Sequence, residues 1–119
     1  MNWILVFLGG GLGALMRFGT TAITAKWWQT VFPVATLISN VIACLILGIT
    51  LAILRDKIQT NEGWYTFMVV GICGGYSTFS SFAKENIELF EKGNYAIALL
   101  NILLSVSLCL VAVYIGKKV

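Results

Sequence analysis

The residues best suited to chemistry lie in one stretch, residues 71–82, where three glycines are interleaved with four Ser or Thr hydroxyls and two phenylalanines. The surrounding uncharged run, residues 63–83, is long enough to cross a bilayer, which takes about 20 mostly apolar residues. Glycine weakens a helix interior by roughly 1 kcal/mol relative to alanine. Ser77 and Thr78, directly after a glycine pair, are typical of a helix stop followed by a new N-cap. The pattern predicts a helix broken mid-membrane, at 74–77.

A broken helix brings ion-binding groups into a low-dielectric interior. Unwound carbonyls coordinate cations, and the positive N-terminal end of the new helix attracts anions. Unwound backbone survives at membrane depth only where it is buried in protein or lines a wet cavity. The alternative is one flexible helix whose glycines form a packing face.

Phe79 and Phe82 follow the expected break at a spacing of three, so they share a helix face, and Glu85 lies three residues further on. Aromatic pairs in membrane helices commonly serve packing, so the spacing alone leaves both packing and a pore-lining role open. Glu85 belongs to a charged group where the helix emerges into headgroups or a vestibule.

The other apolar segments carry isolated polar side chains. Asn40, one turn after Thr36, has a carboxamide that needs either an interhelical hydrogen bond or a ligand. Asn101 and Ser105 continue to Cys109 at a spacing of four, which predicts a polar or small stripe on one helix face.

Arg17 is the one charge in the first apolar segment. It lies four residues after Gly13. A residue as small as glycine lets two membrane helices approach closely. An arginine at this depth either snorkels to the headgroups or points inward, to a vestibule or a lipid phosphate.

The elements that position these residues follow from composition. Of 119 residues, 59% are hydrophobic and 11% charged, whereas soluble domains carry roughly 25% charged residues. We therefore expect an all-α membrane protein with a single four-helix transmembrane domain over residues 1–119. Its expected spans are about 2–25, 32–54, 64–90 with the break at 74–77, and 95–115.

Composition and motifs also exclude several classes. There is no histidine, no metal-ligand cysteine spacing and no carboxylate pair within the spans, so the sequence predicts no enzyme. The net charge of +3 is too small and scattered to indicate a nucleic-acid partner. The three cysteines lie singly in separate apolar segments and are interpreted as small apolar fillers. The start lacks a basic region typical of a cleaved signal peptide.

Lysine and arginine are distributed almost evenly between the two ends of the expected bundle. Four flank the side of the termini, and two or three flank the other side; they are Arg55, Lys57, Lys117 and Lys118 against Lys26, Lys92 and Lys84. Because this bias sets membrane orientation, the near balance predicts that the chain inserts both ways and forms an antiparallel dimer.

Three motifs together resemble the Fluc (CrcB) family of fluoride channels. They are GGGLGALMRF at residues 9–18, TLISN at residues 36–40 and GICGGYSTFSSF at residues 71–82. The third is highly specific, and the resemblance covers essentially the whole chain.

The resemblance implies a dual-topology antiparallel dimer in the inner (plasma) membrane, in contact with lipid, that passes fluoride passively out of the cytoplasm through two pores. It assigns the pore to Phe79, Phe82, Asn40, Thr36, Asn101 and Ser105. Arg17 and Glu85 are expected in the vestibule. The partner is a second copy of this chain or a homologous sister subunit.

The resemblance also implies a structural Na⁺ at the dimer centre, held by the backbone carbonyls of Gly74 and Ser77. The family often has threonine where this chain has Ser77, a change that matters little to a carbonyl ligand. Cys109 falls where the family usually has a small or hydroxyl residue.

Two rival classes compete with a channel. A small dual-topology drug or cation efflux antiporter also has four spans, but it needs a membrane-embedded glutamate in the first span, and residues 2–25 contain no carboxylate. A structural or assembly subunit without a pore would leave the broken helix and the polar stripes without a purpose.

Overall fold

A computed structural model describes residues 2–57 and 60–119, and every regular element in those ranges is helical. The expectation of an all-α protein is confirmed. Met1, Ile58 and Gln59 lie outside the described residues. The elements are α1 (Asn2–Trp27), α2 (Val34–Leu54), a 3₁₀ turn (Arg55–Lys57), α3 (Glu62–Tyr65), a π-helix (Thr66–Cys73), α4 (Gly74–Tyr76), α5 (Phe79–Glu91) and α6 (Tyr95–Lys117).

Helices α1, α2 and α6 are each long and apolar enough to cross a membrane, by length and composition. The chain is therefore a multi-pass membrane protein. The third expected span is divided between shorter pieces, so the four-span arrangement stays a proposal. The molecule is elongated, with extents of 50 × 27 × 23 Å, and its long axis exceeds the roughly 30 Å hydrocarbon core of a bilayer.

The helix containing the glycine pair ends later than the sequence pattern predicts. Elements α3, the π-helix and α4 run on without interruption as one half-helix, residues 62–76. Gly74 has helical dihedral angles, and the chain first becomes extended at Ser77 (ψ 152°). Thr78 then caps α5, because its hydroxyl oxygen accepts a hydrogen bond from the Ser81 amide at 3.2 Å. The interruption thus covers Ser77 and Thr78, and the two glycines before it remain helical.

Glycines instead set the distance between packed helices. A Cβ on Gly9 would lie 2.6 Å from the Phe67 carbonyl oxygen, and one on Gly71 would lie 2.8 Å from Gly9 Cα. A Cβ on Gly75 would collide with the Gly10 carbonyl oxygen. Because side chains would prevent this approach, α1 lies directly against the half-helix.

A second close crossing joins α2 to α6. A Cβ on Gly116 would lie 2.7 Å from the Leu45 carbonyl oxygen, and one on Gly48 would meet the Val113 carbonyl oxygen. The two crossings form two closely packed pairs, α1 with the half-helix and α2 with α6. Helix α5 then packs back against α6.

Candidate functional site

An open cavity of about 340 Å³ lies where the half-helix stops, between α2, α5 and α6. We call it the break cavity. Its lining is mostly apolar, with a few converging polar groups, and it contains no ionisable side chain other than thiols. The lining residues are Asn40, Cys44, Ser77, Thr78, Phe79, Phe82, Ser105, Val106, Cys109 and Leu110.

Asn40 reaches from α2 across the interruption. Its Oδ1 accepts a hydrogen bond from the Thr78 backbone N–H at 2.8 Å. In an unbroken helix that N–H would bond to the carbonyl of Gly74, so Asn40 replaces a lost helical bond. The Asn40 amide nitrogen lies 3.5 Å from the Thr78 carbonyl oxygen, a long contact that leaves its N–H groups available to a ligand in the cavity.

Phe79 and Phe82 are neighbours on the first turn of α5, and both line the break cavity. Their ring centroids lie 5.6 Å apart with the planes inclined by 40°. Phe79 is 79% exposed within the single chain, so its ring is not packed into this chain's own core. An aromatic edge carries partial positive charge, which gives an anion a partner without a formal charge.

Ser105 of the α6 polar stripe lines the cavity, whereas Asn101 does not. Asn101 is 1% exposed and is bonded both to Ser105 and to Asn86 of α5. The stripe therefore forms one face, as expected, but its Asn101 member contacts protein rather than open space. Cys109 also borders the cavity.

Asn86 is a buried polar residue that none of the sequence motifs indicated as part of the site. Its amide nitrogen donates to the Phe82 carbonyl oxygen at 3.0 Å. The available signal was its spacing of four from Phe82, which places both on the α5 face that meets α6.

Thr36 and Glu85 meet away from the lining of the break cavity. The Thr36 hydroxyl donates to Glu85 Oε2 at 2.7 Å. The other carboxylate oxygen, Oε1, is buried and has no hydrogen-bond partner among the described residues. The structure thus ties the start of α2 to α5 through this pair.

Arg17 fastens α1 to the end of the half-helix. Its Nε donates to the Gly75 carbonyl oxygen at 3.1 Å, and one turn later the Thr20 and Tyr76 hydroxyls are 2.8 Å apart. Arg17 was expected in a vestibule, but within the single chain its Nε serves a helix C-terminus, where a positive charge is favourable. The close glycine crossing brings the guanidinium within reach.

Gly74 and Ser77, the expected cation ligands, border a smaller groove of about 210 Å³ beside the interruption. Gly74 is exposed in the single chain. Its carbonyl lacks the usual helical donor because the Thr78 N–H bonds to Asn40. The Gly74 carbonyl oxygen is therefore accessible and free of its helical hydrogen bond. In this respect the site fits a cation.

All three cysteines are free thiols. Cys44 and Cys109 both line the break cavity, a position that their interpretation as apolar fillers did not anticipate. Cys73 is buried in the half-helix.

Comparison with known proteins places the whole chain in one family. The family model described as "CrcB-like protein, Camphor Resistance (CrcB)" matches residues 4–117. The protein "Fluoride-specific ion channel FluC" of Flavobacterium psychrophilum is 41% identical over 93% of this chain and 90% of the relative. Proteins of the same name from Coxiella burnetii (38% identical, over 98% of this chain and 94% of the relative) and Solibacter usitatus (39%, over 98% and 95%) are similarly related. On this family match and these near full-length identities, the chain belongs to the CrcB-like family.

Proposed function

We propose that this protein is a fluoride channel that lets fluoride leave the cytoplasm passively, and that it is not an enzyme. Family membership and the names of its relatives support the substrate. The structural observation that carries the proposal is the convergence of Asn40, Phe79, Phe82 and Ser105 on the break cavity. These residues come from three helices, and all four were assigned to a pore by the family resemblance.

The chemistry of the cavity suits a small, strongly hydrated anion. Such an ion enters a pore only if donors replace its water, and it leaves only if none holds it too tightly. The ring edges of Phe79 and Phe82 and the amide of Asn40 supply partial positive charge. The lysines and arginines described lie elsewhere, so a formal positive charge does not trap the ion at this point.

The start of α5 adds to this positive potential. The interruption exposes a helix N-terminus at the cavity, and only part of its N–H groups are capped, by Asn40 and Thr78. A helix of 13 residues carries a partial positive charge at this end. We infer that the interruption gives the anion a favourable field without a cationic side chain.

The functional unit is an antiparallel dimer with two pores. The near-balanced lysine and arginine distribution supports insertion in both orientations. Phe79 is also largely exposed in the single chain, which is consistent with a partner completing its surroundings. The partner is a second copy of this chain or a homologous sister subunit.

Gly74 and Ser77 of each chain would hold Na⁺ at the dimer centre. Their carbonyls are hard oxygen ligands, and Gly74 is accessible with its carbonyl released from helical bonding. Bound there, the ion would join the two chains and offset the repulsion between anions in the two pores.

Export needs no energy source of its own. Fluoride enters cells as neutral HF and dissociates in the cytoplasm. An interior-negative membrane potential then drives the anion outward by about 2.3 kcal/mol per 100 mV. The fluoride concentration inside falls as long as the channel is open.

The decisive experiment is fluoride efflux from liposomes, measured with a fluoride electrode. Phe79→Ile and Phe82→Ile keep volume and apolarity but remove the positive ring edge, so packing should cost under about 1.5 kcal/mol. We expect flux to fall by tenfold or more, which needs only about 1.4 kcal/mol of added barrier. Phe7→Ile, at an exposed aromatic outside the cavity, is the matched control.

Rapid wild-type efflux of fluoride but not chloride is the expected result. Absence of fluoride efflux from well-reconstituted wild-type protein would overturn the proposed function. Wild-type efflux in both isoleucine variants would show that the phenylalanines only pack, and would leave Asn40 and Ser105 as the pore candidates.

A further inference from the structure

A continuous chain of hydrogen bonds runs behind the break cavity from α6 to α5. The Ser105 hydroxyl donates to Asn101 Oδ1 at 3.0 Å, and Asn101 Nδ2 donates to Asn86 Oδ1 at 2.9 Å. Asn86 Nδ2 donates in turn to the Phe82 carbonyl oxygen at 3.0 Å. The Ser105, Asn101 and Asn86 side chains are all buried.

The direction of this chain is fixed at one end. A backbone carbonyl only accepts, so Asn86 must turn its NH₂ towards Phe82. Its oxygen then faces Asn101, which must present its own NH₂ to Asn86. The Asn101 oxygen is left facing Ser105, and the Ser105 hydroxyl therefore has to donate to it.

This direction matters because Ser105 also lines the cavity. A hydroxyl has one proton and two acceptor lone pairs. While the proton is given to Asn101, the part of Ser105 that faces the cavity is its lone pairs. An anion there must draw the hydroxyl proton away from Asn101 before Ser105 can solvate it.

We propose that Asn101 and Asn86 are positioning residues that hold the Ser105 proton away from the cavity and so weaken anion binding at this point. This proposal rests on the proposed function, because it concerns the same cavity and the same anion. It replaces the expected pore-lining role of Asn101 with an indirect one. Weak binding of this kind favours conduction, since a channel must release its ion quickly.

The test is a cycle of substitutions read as the fluoride concentration that gives half-maximal flux in liposomes. Asn86→Leu removes the anchor, so the Asn101 amide is free to turn and release the Ser105 proton to the cavity. We expect the half-maximal concentration to fall about fivefold, equivalent to about 1 kcal/mol. In a Ser105→Ala background the same Asn86→Leu substitution should cause no shift, because it acts only through the hydroxyl.

Ser107→Ala is the matched control. Ser107 lies on α6 two residues further along and is exposed, so the shift caused by Asn86→Leu must persist in that background. An equal shift in the Ser105→Ala background would show that Asn86 only supports the fold, and would overturn the proposal. The absence of any shift in the Asn86→Leu protein would overturn it as well.

A second measurement needs no variant at Asn86 and covers the case in which that protein does not fold. In the wild type labelled with ¹⁵N-asparagine, fluoride titration should move the side-chain amide signals of Asn101 and Asn86 together, at one midpoint. Ser105→Ala should abolish both movements while the Asn40 signal still responds. Unmoved Asn101 and Asn86 signals beside a responding Asn40 signal would overturn the relay and leave fluoride binding intact. A wild type that passes no fluoride would overturn the proposed function itself.

Discussion

A methyl group added at Gly13 should break a hydrogen bond one helical turn away. The added Cβ would lie 2.8 Å from the Tyr76 amide nitrogen and 3.1 Å from the Gly75 carbonyl carbon. It would also collide with the Ile72 carbonyl oxygen. These neighbours are backbone atoms, so no flexible side chain can move aside. Gly13→Ala must therefore push α1 away from the half-helix.

The size of the displacement follows from the contact distances. Ordinary contact begins at 3.4 Å, so the 2.8 Å separation must widen by at least 0.6 Å, and the closer Ile72 contact requires more. The Arg17 Nε to Gly75 oxygen distance is 3.1 Å, and the same movement would lengthen it to about 3.7 Å or more, beyond hydrogen-bonding range. Overpacking costs about 1–3 kcal/mol and the lost charge-assisted bond about 1.5–3 kcal/mol. Alanine is about 1 kcal/mol more favourable than glycine within a helix. The net loss in the free energy of unfolding is therefore roughly 1.5–5 kcal/mol.

Gly11→Ala is the matched control, because a Cβ there meets nothing within 4 Å. The assay is the free energy of unfolding in detergent micelles of rising SDS fraction, followed by tryptophan fluorescence. We expect Gly11→Ala to be neutral or slightly stabilising and Gly13→Ala to be strongly destabilising. Arg17→Met should cost little in the Gly13→Ala background, because its bond is already lost. Equal stability of the two alanine variants would show that α1 tolerates a methyl group at Gly13. A full additive cost of Arg17→Met would show that the Arg17 bond survives in the Gly13→Ala protein.

Three further predictions concern the interruption and its surroundings. Thr78→Ala removes the α5 cap and should cost about 1 kcal/mol in the same unfolding assay, whereas Thr78→Ser should restore the stability; equal stability of both variants would contradict a capping role. Thr36→Val leaves the buried Glu85 carboxylate without its hydroxyl donor and should cost about 1–3 kcal/mol, with Thr36→Ser close to wild type; a neutral Thr36→Val would show that this bond contributes little to stability. If Gly74 and Ser77 hold Na⁺, replacing Na⁺ by N-methylglucamine should lower the free energy of unfolding. The loss should be about 2.7 kcal/mol when the Na⁺ that is replaced was present at about one hundred times its dissociation constant. Identical unfolding in both salts would count against the site.

The sequence predicts the helical architecture well and the position of the interruption less well. Low charge and long apolar runs predict a helical membrane protein because an apolar environment demands internally satisfied backbone. The interruption was expected at 74–77 but lies at Ser77 and Thr78. Gly71 and Gly75 are used for close approach to α1 within a helix that stays intact. Propensity shows that a glycine weakens a helix; it does not show that a neighbouring helix fills the space.

The candidate site, too, is predicted from the sequence only in part. Periodicity places Asn101 and Ser105 on one face, and the structure agrees. Which of the two opens to the cavity depends on how α5 lies against α6, and spacing along one helix carries no information about that. The sequence does not indicate Asn86, because its role depends on contact with Asn101 on another helix. Arg17 similarly has a polar partner that is distant in sequence.

The interruption also has a consequence for how the protein enters the membrane. Helix α5 has 13 residues, about 20 Å of helix, and it carries charges at Lys84, Glu85, Glu88 and Glu91. Charged residues within a span oppose insertion by the translocon, so neither the length nor the composition of α5 favours insertion as an independent segment. Helices α1, α2 and α6 are each long and apolar enough to cross a membrane. In the proposed four-span arrangement the uncharged run at residues 63–83 would carry the third crossing into the bilayer, and α5 would reach its place by docking on α6 rather than by inserting alone.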